Sequence, residues 1–130
     1  MIIMGVLVLT PEKVAQLEKL LQDYLISIGV SLALLIDEAG NILVSVGENQ
    51  DVDVTSLAAL AAANFGATNQ IAKLLGEDDF SILYHKGKKD NIHLSKIRDE
   101  LILVTVFRDD VPLGLVRLKV NQVAKEIQEI

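Results

Sequence analysis

Two histidines and three arginines stand out as side chains whose type and spacing could do chemistry. His85 and His93 fall on the two arms of an expected hairpin, where imidazoles on adjacent strands can approach each other as two ligands of one metal ion, with Asp90 close by in sequence. A stable zinc site uses three or four protein ligands. No third is evident here, so the pair reads as strand residues and no metal is expected. Neither histidine combined with Ser81 or Ser95 makes a hydrolase, because a nucleophile elbow and an oxyanion loop are both missing. Arg98, Arg108 and Arg117 are the guanidinium groups available to stabilise charge on a transferring phosphoryl group. Arg98 and Arg108 sit beside acidic residues and Arg117 falls on an expected terminal helix, which reads as ordinary surface pairing. The sequence has no P-loop and no dinucleotide fingerprint, so the chain is not expected to bind a nucleotide or another cofactor. Glu77-Asp78-Asp79 and Arg108-Asp109-Asp110 read as solvated acidic loops.

Composition narrows the classes further. A chain of 130 residues suits one domain spanning 1–130, and a hydrophobic share of 51% with only 4% aromatics predicts an aliphatic core. With 12 Lys and Arg against 18 Asp and Glu the net charge is -6, and basic residues cluster only around Lys86, Lys88 and Lys89. A phosphate backbone needs a clustered positive face, so nucleic acid is not an expected partner. The absence of cysteine removes disulfides and thiolate sites and agrees with a cytoplasmic home. Val54 to Ala72 is uncharged and approaches membrane-spanning length, but Thr55, Ser56, Asn64, Thr68, Asn69 and Gln70 interrupt it and membrane insertion is not expected. The apolar run Met1 to Leu9 lacks a basic start and a small-residue cleavage site, and reads as an extended segment.

The elements that must position these residues are legible from capping signals and periodicity. Thr10-Pro11-Glu12 opens a helix whose stripe Val14, Leu17, Leu21, Leu25 and Ile28 ends at Gly29. Ser31 to Asp37 and Ile42 to Val46 form a hairpin around Glu38-Ala39-Gly40-Asn41. After a polar loop with Glu48, Asn49, Gln50 and Asp51, a second helix runs from about Val54 to Leu75, capped by Asp53 or Thr55 and stopped by Gly76. Phe80 to Lys86, Asn91 to Ile97 and Leu101 to Phe107 follow as strands, and a helix from Leu113 closes the chain. The expected fold is an α/β (α+β) sandwich: a five-stranded antiparallel sheet with helices on both faces, in the order α-β-β-α-β-β-β-α.

The second helix is the candidate functional element. At 100° per residue, Leu57, Leu60, Asn64, Thr68, Ile71, Leu74 and Leu75 share a side expected to cover the sheet. The other side carries Ala58, Ala59, Ala62, Gly66, Asn69 and, at its end, Lys73, where a water-facing helix would hold charges as the first helix does with Glu12, Lys13, Glu18, Lys19 and Asp23. Small side chains let another backbone approach closely, which predicts a docking face; burial within the monomer is the alternative. Gly66 favours docking, since a mid-helix glycine costs about 1 kcal/mol relative to alanine and usually has a packing reason.

The hairpin Leu35-Ile36-Asp37-Glu38-Ala39-Gly40, the segment Asn64-Phe65-Gly66-Ala67-Thr68-Asn69-Gln70 leading to Leu74-Leu75-Gly76-Glu77, and Leu103-Val104-Thr105-Val106-Phe107 followed by Pro112-Leu113-Gly114 resemble the roadblock / dynein light chain family, over nearly the whole chain. Within that family the sequence is most similar to the bacterial MglB-like branch. The resemblance implies a homodimer in which sheets join edge to edge and central helices lie side by side. It also implies a small Ras-like GTPase of the MglA type as partner, with GTP hydrolysis accelerated by reorganising the GTPase and no active site in this chain. By position, Ala58, Ala62, Phe65, Gly66 and Asn69 would contribute to the paired-helix surface. The alternative is an adaptor that binds other proteins without changing nucleotide turnover.

Overall fold

A computed structural model describes residues 2–4, 7–48, 51–78, 81–98 and 100–130. Strands β1 (Ile2–Met4) and β2 (Leu7–Leu9) pair antiparallel, Ile2 opposite Leu9, where an extended segment was expected. Helix α1 (Pro11–Tyr24) starts as the sequence predicts: the Thr10 hydroxyl accepts from Lys13 N at 3.2 Å and Pro11 occupies the first turn. Its last turn tightens into a 3-10 turn, Ile26–Ile28, before Gly29 reverses the chain at φ 107°.

Strands β3 (Leu32–Asp37) and β4 (Ile42–Gly47) form the first hairpin. The Asp37 carboxylate builds its turn by accepting from Ala39 N at 3.0 Å, Asn41 N at 2.8 Å and Asn41 Nδ2 at 2.8 Å. Helix α2 (Val54–Leu74) is capped by Asp53, which accepts from Ser56 N and Oγ and whose carboxyl is held below its ordinary pKa by those bonds. Then come β5 (Ile82–His85), β6 (Asn91–Arg98), β7 (Leu101–Phe107) and α3 (Leu113–Gln128). Phe80, expected to open β5, lies outside the described residues, as do Asn49, Gln50, Asp79 and Asp99 of the expected loops.

The five longer strands form one antiparallel sheet in the order β4-β3-β7-β6-β5. Central β7 is buried along its whole length, so both faces must be covered. On one face Ala33, Leu35, Leu103 and Phe107 meet Leu17 and Leu21 of α1 and Val116, Val120, Val123 and Ile127 of α3. On the other, Leu32, Leu34, Ile36, Leu94, Ile102, Val104 and Val106 meet Ala58, Ala61, Ala62 and Phe65 of α2. The element order and two-faced covering agree with the sequence reading. Among the described residues no helix is long and apolar enough to cross a membrane.

Candidate functional site

The side of α2 that lies on the sheet is not the one its large residues suggest. Ala58, Ala61, Ala62, Phe65 and Ala72 are the helix's buried residues. Leu60, Ile71, Leu74 and Leu75, expected to cover the sheet, are instead 69%, 52%, 87% and 68% exposed. The inferred orientation was therefore wrong by roughly 100°, the step of a single residue. The reason is volume: the sheet already fills this layer with leucine, isoleucine and valine, so the helix fits close only with small side chains. The turn of the first hairpin shows how close. A Cβ added to Gly40 would come within 2.9 Å of the Ala59 Cα.

The seven residues singled out as a docking face divide accordingly. Ala58, Ala62 and Phe65 are packed under the helix against the sheet, which corrects their expected place on a partner-facing surface. Ala59, Gly66 and Lys73 are exposed on its flank and Asn69 is half-buried. What the helix turns outward is a stripe of Leu60, Ala63, Ala67, Ile71 and Leu74, with Gln70 beside it and no charged residue before Lys73. Leu60, Ala67 and Leu74 recur at heptad spacing, with Ala63 and Gln70 between them, which is the seam geometry of helix-on-helix packing. That spacing is the sequence signal by which the outer stripe was recognisable; size alone pointed inward.

Edge strand β5 continues this surface. Among the described residues it has no strand partner on its outer side. Asn64 Nδ2 lies 2.8 Å from His85 Nε2, joining α2 to β5. The β5–β6 hairpin is pinned below: Lys86 Nζ donates to Asp109 at 2.7 Å, Asn91 Nδ2 donates to the same carboxylate at 2.9 Å, and Gly87 N donates to Asn91 Oδ1 at 3.2 Å. These partners, Lys86 first, hold the Asp109 carboxyl below the usual carboxylate range.

The histidines are not brought together. His85 stands opposite Ile92 and His93 opposite Tyr84, so they point to opposite faces of the sheet. His93 is 1% exposed, neither ring nitrogen has a hydrogen-bond partner among the described residues, and burial, with Arg117 adding to it, pushes its pKa down to about 4. Arg108 Nε lies 3.5 Å from Asp90 Oδ1. Among the described residues no three metal-capable side chains converge. One cleft opens beside α2. It holds about 180 Å³ and is lined by Glu38, Ala62, Phe65, Gly66, Asn69, Lys96 and Ile102.

No curated protein matches the sequence. Among solved structures, MglB of Myxococcus xanthus is 31% identical, with 95% of this chain and 92% of that one covered and a TM-score of 0.85. An MglB described as having a tetrameric arrangement is 31% identical, with coverage of 95% and 93% and a TM-score of 0.86. The gliding protein MglB of Thermus thermophilus is 30% identical, with coverage of 94% and 93% and a TM-score of 0.84. The profile of the Roadblock/LC7 domain matches residues 16–107, and with the sheet order and helix placement described above the chain belongs to the Roadblock/LC7 family.

Proposed function

We propose that this chain, as one roadblock domain over residues 1–130, is a cytoplasmic homodimeric regulator of a small Ras-like GTPase of the MglA type. It stimulates GTP hydrolysis by binding and reorganising the GTPase and has no active site of its own. The observation that carries the reading is the uncharged, leucine-bearing outer stripe of α2 beside the open edge of β5. A monomer gains nothing from large apolar side chains held in water, and a contiguous patch of them marks a contact surface. Self-association through β5 and α2, with the GTPase meeting the paired helices, uses all of it. The tetrameric arrangement named for one MglB structure supports self-association of such domains.

Ala59, Gly66, Asn69 and Lys73 remain in the proposed surface; Leu60, Ala63, Ala67, Ile71 and Leu74 join it. An arginine inserted by this chain is not part of the mechanism. Arg108 pairs with Asp90, and Arg117 lies next to His93 on the face opposite α2. Those placements also suit the second reading, an adaptor that scaffolds without changing turnover. Single-turnover GTP hydrolysis by the organism's own MglA-like GTPase, with and without this protein, separates the two. Acceleration that disappears in Leu74→Glu supports the regulator; tight binding without acceleration supports the adaptor; no binding to any MglA-like GTPase sinks the proposed partner.

A further inference from the structure

The cleft beside α2 combines three features that the fold itself does not explain. Asn69, which lines it, has a buried side-chain Oδ1 with no hydrogen-bond partner among the described residues. Buried polar atoms in native proteins are nearly always paired, so an unpaired one marks a place where a donor from elsewhere is missing. Gly66, on the same wall, stands in mid-helix, where glycine weakens the helix, yet a Cβ added there would meet nothing within 4 Å. No neighbour among the described residues requires a glycine at that position. Glu38, also on the wall, is exposed and makes no hydrogen bond or ion pair among the described residues, whereas Lys96 has an interaction of its own.

The chemistry of the missing occupant follows from what is left uncommitted. Two acceptors, a carboxylate and an amide oxygen, stand at a wall whose apolar part is Phe65, 3% exposed, and Ile102, 2% exposed. An anion would be repelled by the Glu38 carboxylate, and an apolar side chain would leave the Asn69 acceptor buried and unpaired. The volume of about 180 Å³ falls below the ~300–1,000 Å³ of small-molecule pockets and suits one long side chain. A guanidinium is planar, weakly hydrated, rich in donors and carried on an apolar stem, so it satisfies both acceptors while the stem covers Phe65 and Ile102.

We propose that this cleft is an anchoring site for one arginine side chain of the protein that docks on the α2 side. The assignment rests on the reading of α2 as the partner face, and it goes further by naming the group that is gripped. Gly66 keeps the mouth of the cleft open, and Glu38 supplies the charge that selects a cation. The net charge of -6 favours approach of a basic partner segment.

The test is an amide NMR titration of the full chain with Nα-acetyl-arginine amide, with the neutral isostere Nα-acetyl-citrulline amide as control. The expected result is saturable shifts at Gly66 and at the Asn69 backbone and side-chain amides. Binding should be weaker by about tenfold for the citrulline compound and for Glu38→Gln, the loss of one charge-assisted hydrogen bond. Glu12→Gln, on a distant exposed carboxylate, should leave the titration unchanged. Absence of saturable shifts, or equal binding by both compounds, overturns the proposal. In parallel, Glu38→Gln should weaken binding of the MglA-like GTPase by about tenfold; if the GTPase binds wild type and Glu38→Gln equally, the anchor is overturned. If the GTPase does not bind wild type at all, the proposed function fails, and the arginine titration still decides the cleft.

Discussion

The two faces of the sheet are covered by opposite strategies. Helices α1 and α3 push large side chains inward, Leu17, Leu21, Val116, Val120, Val123 and Ile127, and leave outer sides that are polar apart from Leu118, as with the Lys19–Asp23 pair at 2.8 Å. Helix α2 does the reverse, with alanines inward and Leu60, Ile71 and Leu74 outward. The first arrangement is finished within the chain. The second is not: a helix with small residues turned inward and large ones turned out is shaped to be covered from both sides. The difference is the physical ground for the docking face proposed on α2.

Substitutions can break this contrast. Leu21→Ala, at a position with 0% exposure, should cost about 3 kcal/mol or more in urea denaturation. The matching change on the outer side of α2, Leu74→Ala, should move monomer stability by less than about 0.5 kcal/mol while weakening self-association in sedimentation. Equal losses at the two positions would erase the distinction between the faces.

His93 gives the α1/α3 face a pH dependence of its own. Its pKa is about 4 in the fold against 6.5 ordinarily, so the unfolded chain takes up the proton first. The contribution of His93 is complete above about pH 6.5, falls as pH drops toward 4 and is gone below, a loss of about 3 kcal/mol. Denaturation midpoints between pH 7 and 4 should fall steeply for wild type and more gently for His93→Leu; parallel profiles would remove His93 as the cause.

Smaller effects sharpen the comparison. Ala61→Leu, on the inner side of α2, should destabilise by about 2 kcal/mol through overpacking, whereas Ala63→Leu, on its outer side, should be near neutral in the same denaturation assay. Thr10→Ala removes the α1 cap and should cost about 1 kcal/mol, read as a drop in the thermal midpoint of a few degrees.

Local signals made the element order readable before any tertiary contact was known. The Thr10 and Asp53 caps, the Asp37 to Asn41 turn and the stripe through Leu17, Leu21 and Leu25 each act over a few residues, and each is found in the structure. The same kind of reading, guided by side-chain size, misplaced Ala58, Ala62, Leu60 and Leu74, because periodicity tells which residues share a side and not which side the sheet leaves room for. The opposite orientations of His85 and His93 depend on the β5–β6 register, which sequence spacing alone left open.

By itself, then, the sequence determined the strands of the larger sheet, the helices and their caps and turns, though not the β1–β2 pairing, together with the chain's lack of cysteine and of a clustered positive face, since these depend on local backbone preference and composition. Only the tertiary structure decided which side of α2 faces out, that Asn64 reaches His85, and that Glu38, Gly66 and Asn69 line one cleft. Those outcomes arise from how much volume two layers leave between them and from contacts between residues far apart in the chain, neither of which is carried by any local window of sequence.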